Sequence, residues 1–314
     1  MRIVYWGTPE FALPAFRAIL GEGHDIVGVV TQPDRPAGRR RELRASPVKL
    51  AALEEGIEVA QPENARGDEF LGWLDEQSAD LNVVVAYGQI LRREILDSAV
   101  MGSINVHASL LPELRGAAPI QWAIARGHDL TGVTVMRMEE KLDAGPILLQ
   151  VREPIGPDET GAELTARLSE IGAEALVEAL ALLEIGELSE TPQDEAKATY
   201  APLVRHGDAR IDWSSPAKAL ACHIRAFDDS PGAWTSFEGS EVKMYRPIAE
   251  PGQAGGLPVG TVLEGDPLNA PRGIRIACGD GAVCIREVKP AGRRRMLASE
   301  WLRGRPLEAG AHFE

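Results

Sequence analysis

Between residues 2 and 138, short β-branched runs alternate with amphipathic stretches, and this alternation confines the first half of the chain to strands joined by helical crossovers. Arg2 to Trp6 reads as the first strand, and Phe11, Leu13, Phe16, Ile19 and Leu20 then recur at helical spacing. Asp25 to Thr31 is a second strand. Ser46 offers an N-cap with Pro47 at the first helical position, which predicts a helix ending at Gly56. A short strand at Glu58 to Ala60 and a helix from Glu69 to Glu76 lead to Leu81 to Ala86, whose Val83-Val84-Val85 centre has the unbroken apolar character of a buried parallel strand. Ile104 to His107 and Gly132 to Met138 supply two more strands, and Glu159 to Leu183 predicts a long helix.

Beyond that helix the alternation stops. Residues 190–207 are polar and aperiodic, as a linker would be. From Val242 onward, short strand candidates at Val242 to Tyr245, Gly260 to Leu263, Ile274 to Ala277 and Ala282 to Val288 are separated by Gly and Pro, the spacing of a small β-barrel. A chain of 314 residues is long for one compact unit. The expected architecture is therefore an α/β domain on a parallel sheet over 1–189, a linker over 190–207, and a β-barrel domain over 208–314.

Charge narrows the partners. With 33 basic and 47 acidic side chains the net charge is −14, so the averaged field repels phosphate backbones and anionic membranes. Any contact with nucleic acid must come from local basic clusters. The three cysteines, Cys222, Cys278 and Cys284, have no metal-like spacing, and an odd number argues for a reduced compartment. Met1-Arg2 passes directly into Ile3-Val4-Tyr5-Trp6 and no segment is long and apolar enough for a bilayer, so a cytoplasmic protein without membrane association is expected.

Three places could carry chemistry. Gly7-Thr8-Pro9-Glu10 follows a strand and opens a helix, but Pro9 stands where a dinucleotide fingerprint needs its second glycine. It reads either as a tight turn or as a substrate-contacting loop, and nicotinamide cofactors are disfavoured. Asn105 and His107 lie two apart in a strand, so an amide and an imidazole share one face near the carboxyl end, where open α/β sheets build their sites. A lone strand histidine is usually structural; the amide beside it favours function. Asp143, flanked by Ala144-Gly145-Pro146, is an ordinary turn residue unless its loop returns to the Asn-His edge. A carboxylate, an amide and an imidazole around one centre suit acyl transfer to an amine.

The blocks INVHASLLP, RGAAPIQWAI and TGVTVMRMEEKLDAGPIL, in this order, resemble the catalytic core of the folate-dependent formyltransferase family. Thr31-Gln32-Pro33-Asp34-Arg35-Pro36-Ala37-Gly38-Arg39 with Ser46-Pro47-Val48-Lys49 resembles the inserted loop of the branch that formylates methionyl initiator tRNA. Ala209 to Trp213, Ile224 to Phe227 and Pro231 to Trp234 are similar to the C-terminal domain of that branch. The resemblance covers nearly the whole chain. It implies a Rossmann-like formyltransferase domain followed by a small, OB-like β-barrel that binds tRNA, with 10-formyltetrahydrofolate as formyl donor, methionyl initiator tRNA as acceptor and no metal requirement.

By the same resemblance Asn105, His107 and Asp143 are the catalytic residues. Ser109, Leu110, Leu111 and Pro112 line the tetrahydrofolate site, with core packing as the alternative for the leucines. Arg35, Arg39, Arg40, Arg41 and Arg44 contact tRNA, where a solvated charge run would otherwise be the reading. Arg293-Arg294-Arg295 is a second candidate patch. Glu113, Tyr200 to Leu203 and Asp228 to Ser230 depart from the family's pattern. The implied protein is a monomer of the bacterial cytoplasm. Competing readings are a formyltransferase for a nucleotide-linked aminosugar, which needs no basic loop, and a catalytically silent RNA-binding protein, which needs no catalytic trio.

Overall fold

A computed structural model describes residues 1–37, 42–252, 256–264, 273–308 and 310–314. The chain forms two compact units, one of Met1–Pro119, Leu130–Pro154 and Thr165–Pro202, the other of Ile120–Asp129, Ile155–Leu164 and Leu203–Glu314.

In the first unit β1 (Arg2–Gly7) lies inside the sheet because Ile3, Val4, Tyr5 and Trp6 are wholly buried and require cover on both faces. It leads through α1 (Leu13–Gly21) to β2 (Asp25–Val30), then to a hairpin of β3 (Arg35–Ala37) and β4 (Glu42–Arg44). Ser46 Oγ accepts the Lys49 N–H at 3.1 Å and so caps α2 (Pro47–Glu54) as expected. Along the chain there follow β5 (Val59–Ala60), α3 (Asp68–Gln77), β6 (Leu81–Val85), the short α4 (Arg93–Leu96), β7 (Ser103–His107), α5 (Pro119–Ala125), β8 (Leu130–Arg137), β9 (Ile147–Pro154) and α6 (Gly161–Glu184), of which α5 beyond Pro119 and the first turn of α6, to Leu164, are counted in the second unit. The sheet order is β5-β2-β1-β6-β7-β8-β9.

The α/β class expected from the sequence is realised, with pairing parallel from β5 to β7. The sheet differs at one edge, where β7–β8 and β8–β9 pair antiparallel and β9 adds a strand to those expected from the sequence. The β8–β9 connection, residues 138–146, is shorter than the dozen or so residues that a parallel crossover needs. The burial of β9 alternates and its exposed face carries Gln150 and Arg152, so its apolar signal is that of a half-exposed edge strand.

The second unit contains α7 (Ala217–Ala226), β10 (Trp234–Phe237), β11 (Ser240–Pro251), β12 (Val262–Glu264), β13 (Ile274–Cys278), β14 (Gly281–Pro290), β15 (Met296–Leu297) and α8 (Ala298–Gly304). The antiparallel order is β10-β11-β14-β13-β12, with β15 on β14. The C-terminal tail bonds to both ends of this curled sheet. Val262 N–H donates to Ala311 at 2.8 Å, Phe313 N–H to Gly260 at 2.9 Å and Glu314 N–H to Ser236 at 2.9 Å. The edges left by β10 and β12 are covered in this way, around a core that includes Trp213, Met244, Ile276, Val283, Leu302 and Phe313.

Candidate active site

The carboxyl end of β7 carries Asn105 and His107, 9% and 6% exposed, on one face of the strand. His107 pairs in register with Thr134 of β8. Its Nε2 lies 3.1 Å from the carbonyl oxygen of Leu114. A carbonyl only accepts, so Nε2 carries a proton and Nδ1 is the ring nitrogen left to exchange one. The carbonyl is aimed by the left-handed backbone of Leu114, at φ 58°. The Asn105 amide has no hydrogen-bond partner among the described residues.

Asp143 sits on the β8–β9 connection in the left-handed region, at φ 48°. Its Oδ2 accepts the Gly116 N–H at 2.7 Å and stands 3.7 Å from His107 Nδ1. Gly116 itself is at φ 121°, and a Cβ there would meet the Ala201 carbonyl oxygen at 2.6 Å, so only glycine allows the close approach. The loop thus does return to the Asn-His edge and places an imidazole, a carboxylate and an amide at one end of β7.

The segment after β7 is fixed by two side chains that the sequence did not single out. Thr134 Oγ donates to the Ser109 carbonyl at 2.6 Å and accepts the Leu111 N–H at 3.2 Å. Gln150 Nε2 donates to the Leu111 carbonyl at 2.8 Å. Thr134 is placed there by its register opposite His107, which nothing local in the sequence marks. Ser109 is buried and donates to the Glu113 carbonyl at 2.6 Å. Leu111 is in the core, whereas Leu110 and Pro112 keep part of their surface. A side chain at Gly132 would collide with Leu110 and the Val151 carbonyl, so glycine in β8 lets this loop lie close to the sheet.

Gly7 serves packing: an added Cβ would meet Ala12 Cβ at 2.9 Å. Thr8 Oγ donates to the Tyr87 carbonyl at 3.1 Å, which joins this turn to the end of β6.

In the basic hairpin, Arg35 and Arg44 are exposed cross-strand partners. Like charges placed opposite one another destabilise a strand pair and favour an anion between them. Asp34, next to Arg35 in the chain, is engaged elsewhere, accepting from Lys49 at 2.7 Å and from Gln61 at 2.8 Å. Those bonds, the one from Lys49 foremost, hold the Asp34 carboxyl below its usual range. Arg39, Arg40 and Arg41 lie outside the described residues. In the second unit Arg295 is consumed by Asp228, with bonds of 2.6 and 3.1 Å, and by Glu287 at 2.6 Å, while its guanidinium covers the Tyr245 ring. Arg294 faces Glu300 at 3.7 Å. Of that triplet, Arg293 has no charged partner among the described residues. Those residues include no cluster of three or more His, Cys, Asp or Glu placed to hold a metal ion, and no helix long and apolar enough to cross a membrane.

The formyl transferase family model matches residues 1–180, and the formyl transferase C-terminal domain matches 204–306. The chain is 46% identical over 313 residues to the methionyl-tRNA formyltransferase of Symbiobacterium thermophilum, covering 100% of this chain and 95% of that protein. It is 48% identical over 305 residues to the methionyl-tRNA formyltransferase of Geobacillus thermodenitrificans, covering 96% and 93%. Among solved structures, WlaRD, a sugar 3N-formyl transferase in the presence of dTDP and 5-N-formyl-THF, superposes with a TM-score of 0.68 at 18% identity, covering 94% of this chain and 99% of that one. The two family matches and the full-length relatives agree, and the chain belongs to the formyl transferase family.

Proposed function

We propose that the protein transfers a formyl group from 10-formyltetrahydrofolate to the α-amine of methionyl initiator tRNA, in support of translation initiation. The observation that carries the acceptor assignment is full-length identity of 46% and 48% to bacterial proteins bearing that name. The aminosugar alternative is not favoured, since the sugar formyl transferase is only 18% identical and the basic hairpin would have no task there.

When bound, 10-formyltetrahydrofolate supplies an activated formyl carbon. The site suits it because Asn105 offers a buried amide with no partner among the described residues, aimed from the strand end that carries His107. In the proposed mechanism the Asn105 amide and His107 Nδ1–H donate to the formyl oxygen as negative charge develops there. The Leu114 carbonyl holds the imidazole through Nε2–H. Asp143 keeps the Nδ1 proton in place, takes up the proton released by the attacking amine and returns one to the departing nitrogen. Ser109, Leu110, Leu111 and Pro112 flank the donor.

Arg35, Arg39, Arg40, Arg41 and Arg44 are assigned to tRNA, with the exposed cross-strand pair Arg35–Arg44 in support. The functional division proposed is 1–189 for catalysis, 190–207 as linker and 208–314 for tRNA binding. All assigned groups come from one chain, so a monomer suffices, and bacterial relatives support a cytoplasmic setting.

The test is formyl transfer from 10-formyltetrahydrofolate to charged methionyl initiator tRNA, with elongator methionyl-tRNA, free methionine and an aminosugar nucleotide as parallel acceptors. Selective formylation of the initiator is the expected result. Transfer to the sugar alone would overturn the acceptor and keep the chemistry.

A further inference from the structure

Residues 191–201 fall within the stretch whose composition reads as a linker, yet they bond along their length to the loops that carry the site. Thr191 and Ile147 exchange backbone hydrogen bonds at 2.8 Å. The Thr199 carbonyl accepts Arg115 N–H at 2.9 Å, Thr199 Oγ accepts Leu114 N–H at 2.9 Å, and Ala201 N–H donates to the Arg115 carbonyl at 2.7 Å.

Gln193 stands where this strap meets the Asp143 loop. Its Nε2 donates to the Asp143 carbonyl at 2.9 Å and to the Gly145 carbonyl at 2.7 Å. Its Oε1 accepts from Arg115 Nε at 3.1 Å and from Arg115 Nη2 at 2.7 Å. The amide orientation is therefore determined, because each end faces only groups of opposite hydrogen-bonding character. Arg115 is wholly buried and cannot turn aside, and its Nη2 also donates to Glu195 at 2.9 Å. Glu195 in turn accepts from Lys141 Nζ at 2.6 Å, which ties the strap to the Asp143 loop a second time. Asp143 has a left-handed backbone, a conformation that costs free energy without external support. Two carbonyls on one amide group supply that support.

Resting on the roles proposed above for His107 and Asp143, we infer that Gln193 is a positioning residue. By holding the carbonyls of Asp143 and Gly145 against the buried Arg115, it sets where the Asp143 carboxylate meets His107. Glutamate could not replace it. A carboxylate oxygen would face two carbonyl oxygens while its other oxygen kept Arg115, so Gln193→Glu severs the loop contact and leaves the strap anchored.

The experiment is a double-mutant cycle on the full chain, with kcat and both KM values for Gln193→Glu measured alone and in an Asp143→Asn background. A small displacement of a reacting group costs up to about a hundredfold in rate, so Gln193→Glu is expected to lower kcat roughly tenfold to a hundredfold with KM changed less than about twofold. In the Asp143→Asn background it should lower kcat by less than about twofold, because the group it positions is already gone. Equal losses in both backgrounds, or no loss in the first, would overturn the inference. Wild-type turnover by Asp143→Asn alone would instead overturn the proposed role of Asp143. Gln193→Met, unbranched and of similar length, runs the same cycle if the glutamate variant does not fold.

Discussion

Asp143 Oδ2 serves two groups at once, accepting the Gly116 N–H at 2.7 Å while standing 3.7 Å from His107 Nδ1. The first distance is a hydrogen bond; the second is an ion-pair separation and too long for one. Asp143 is thus anchored to the backbone of the loop after β7, and the imidazole is anchored separately through Nε2–H to Leu114. His107→Ala removes a ring held by one hydrogen bond to a backbone carbonyl, so its stability cost should be modest. If His107 has the proposed role, kcat should fall roughly a hundredfold to ten-thousandfold. Wild-type turnover in a folded variant would remove His107 from the mechanism.

Asn105 allows a cleaner separation of stability from catalysis. Its amide has no partner among the described residues, so Asn105→Ala strands no buried donor or acceptor. The melting temperature should therefore stay close to that of the parent. A donor to the developing charge is worth about a hundredfold to a thousandfold in kcat. Single-turnover rates, which exclude product release, check this; a loss confined to KM would make Asn105 a binding residue only.

The site was legible in unequal parts, for physical reasons. Asn105 and His107 could be read from strand period alone, since residues two apart share a face wherever the strand ends. Asp143 could not, because nothing local in Lys141-Leu142-Asp143-Ala144-Gly145 says that its loop folds back; only the resemblance placed it. Gln193 lies in a stretch whose composition reads as a polar linker, and its contacts with the Asp143 loop lie 50 and 48 residues away along the chain, where composition carries no information. Arg115 carries no local mark of its burial either, since nothing in Arg115-Gly116-Ala117-Ala118-Pro119 distinguishes it from a surface arginine, and it is wholly buried. In the second unit the barrel was legible from Gly and Pro spacing, whereas the closing tail at Gly310 to Glu314 was too short to show periodicity.

Glu163 predicts an acid-dependent loss of stability. The Arg246 hydrogen bond at 2.8 Å, with the Thr160 N–H, holds its carboxyl at about 2, against an ordinary value of 4.5. A carboxyl whose native value lies below its unfolded one stabilises fully above the unfolded value, and that contribution is lost as pH falls through the native one. Both partners are nearly half-exposed, at 48% and 40%, so screening limits the ion pair to under about 1 kcal/mol. The melting-temperature gap between the parent and Glu163→Gln should be widest near neutral pH and close between about pH 4.5 and pH 2. A gap that is constant with pH would mean that the charge of Glu163 contributes nothing to stability.

Arg35 and Arg44 give the prediction that bears most directly on the acceptor. They face one another across β3 and β4, and Asp34, next to Arg35 in the chain, is engaged by Lys49. If the hairpin meets RNA, each arginine that neutralises a phosphate contributes roughly 0.7 to 0.9 to the slope of log affinity against log salt. Replacing both with alanine should raise KM for tRNA at low salt, flatten that slope by up to about twice this amount and leave kcat unchanged. Relief of like-charge repulsion should at the same time leave stability unchanged or raise it slightly. Extending the substitution to Arg39, Arg40 and Arg41 should flatten the slope further. An unchanged KM and slope in the five-residue variant would move tRNA recognition away from the hairpin, and would leave Arg293 as the next basic residue to replace.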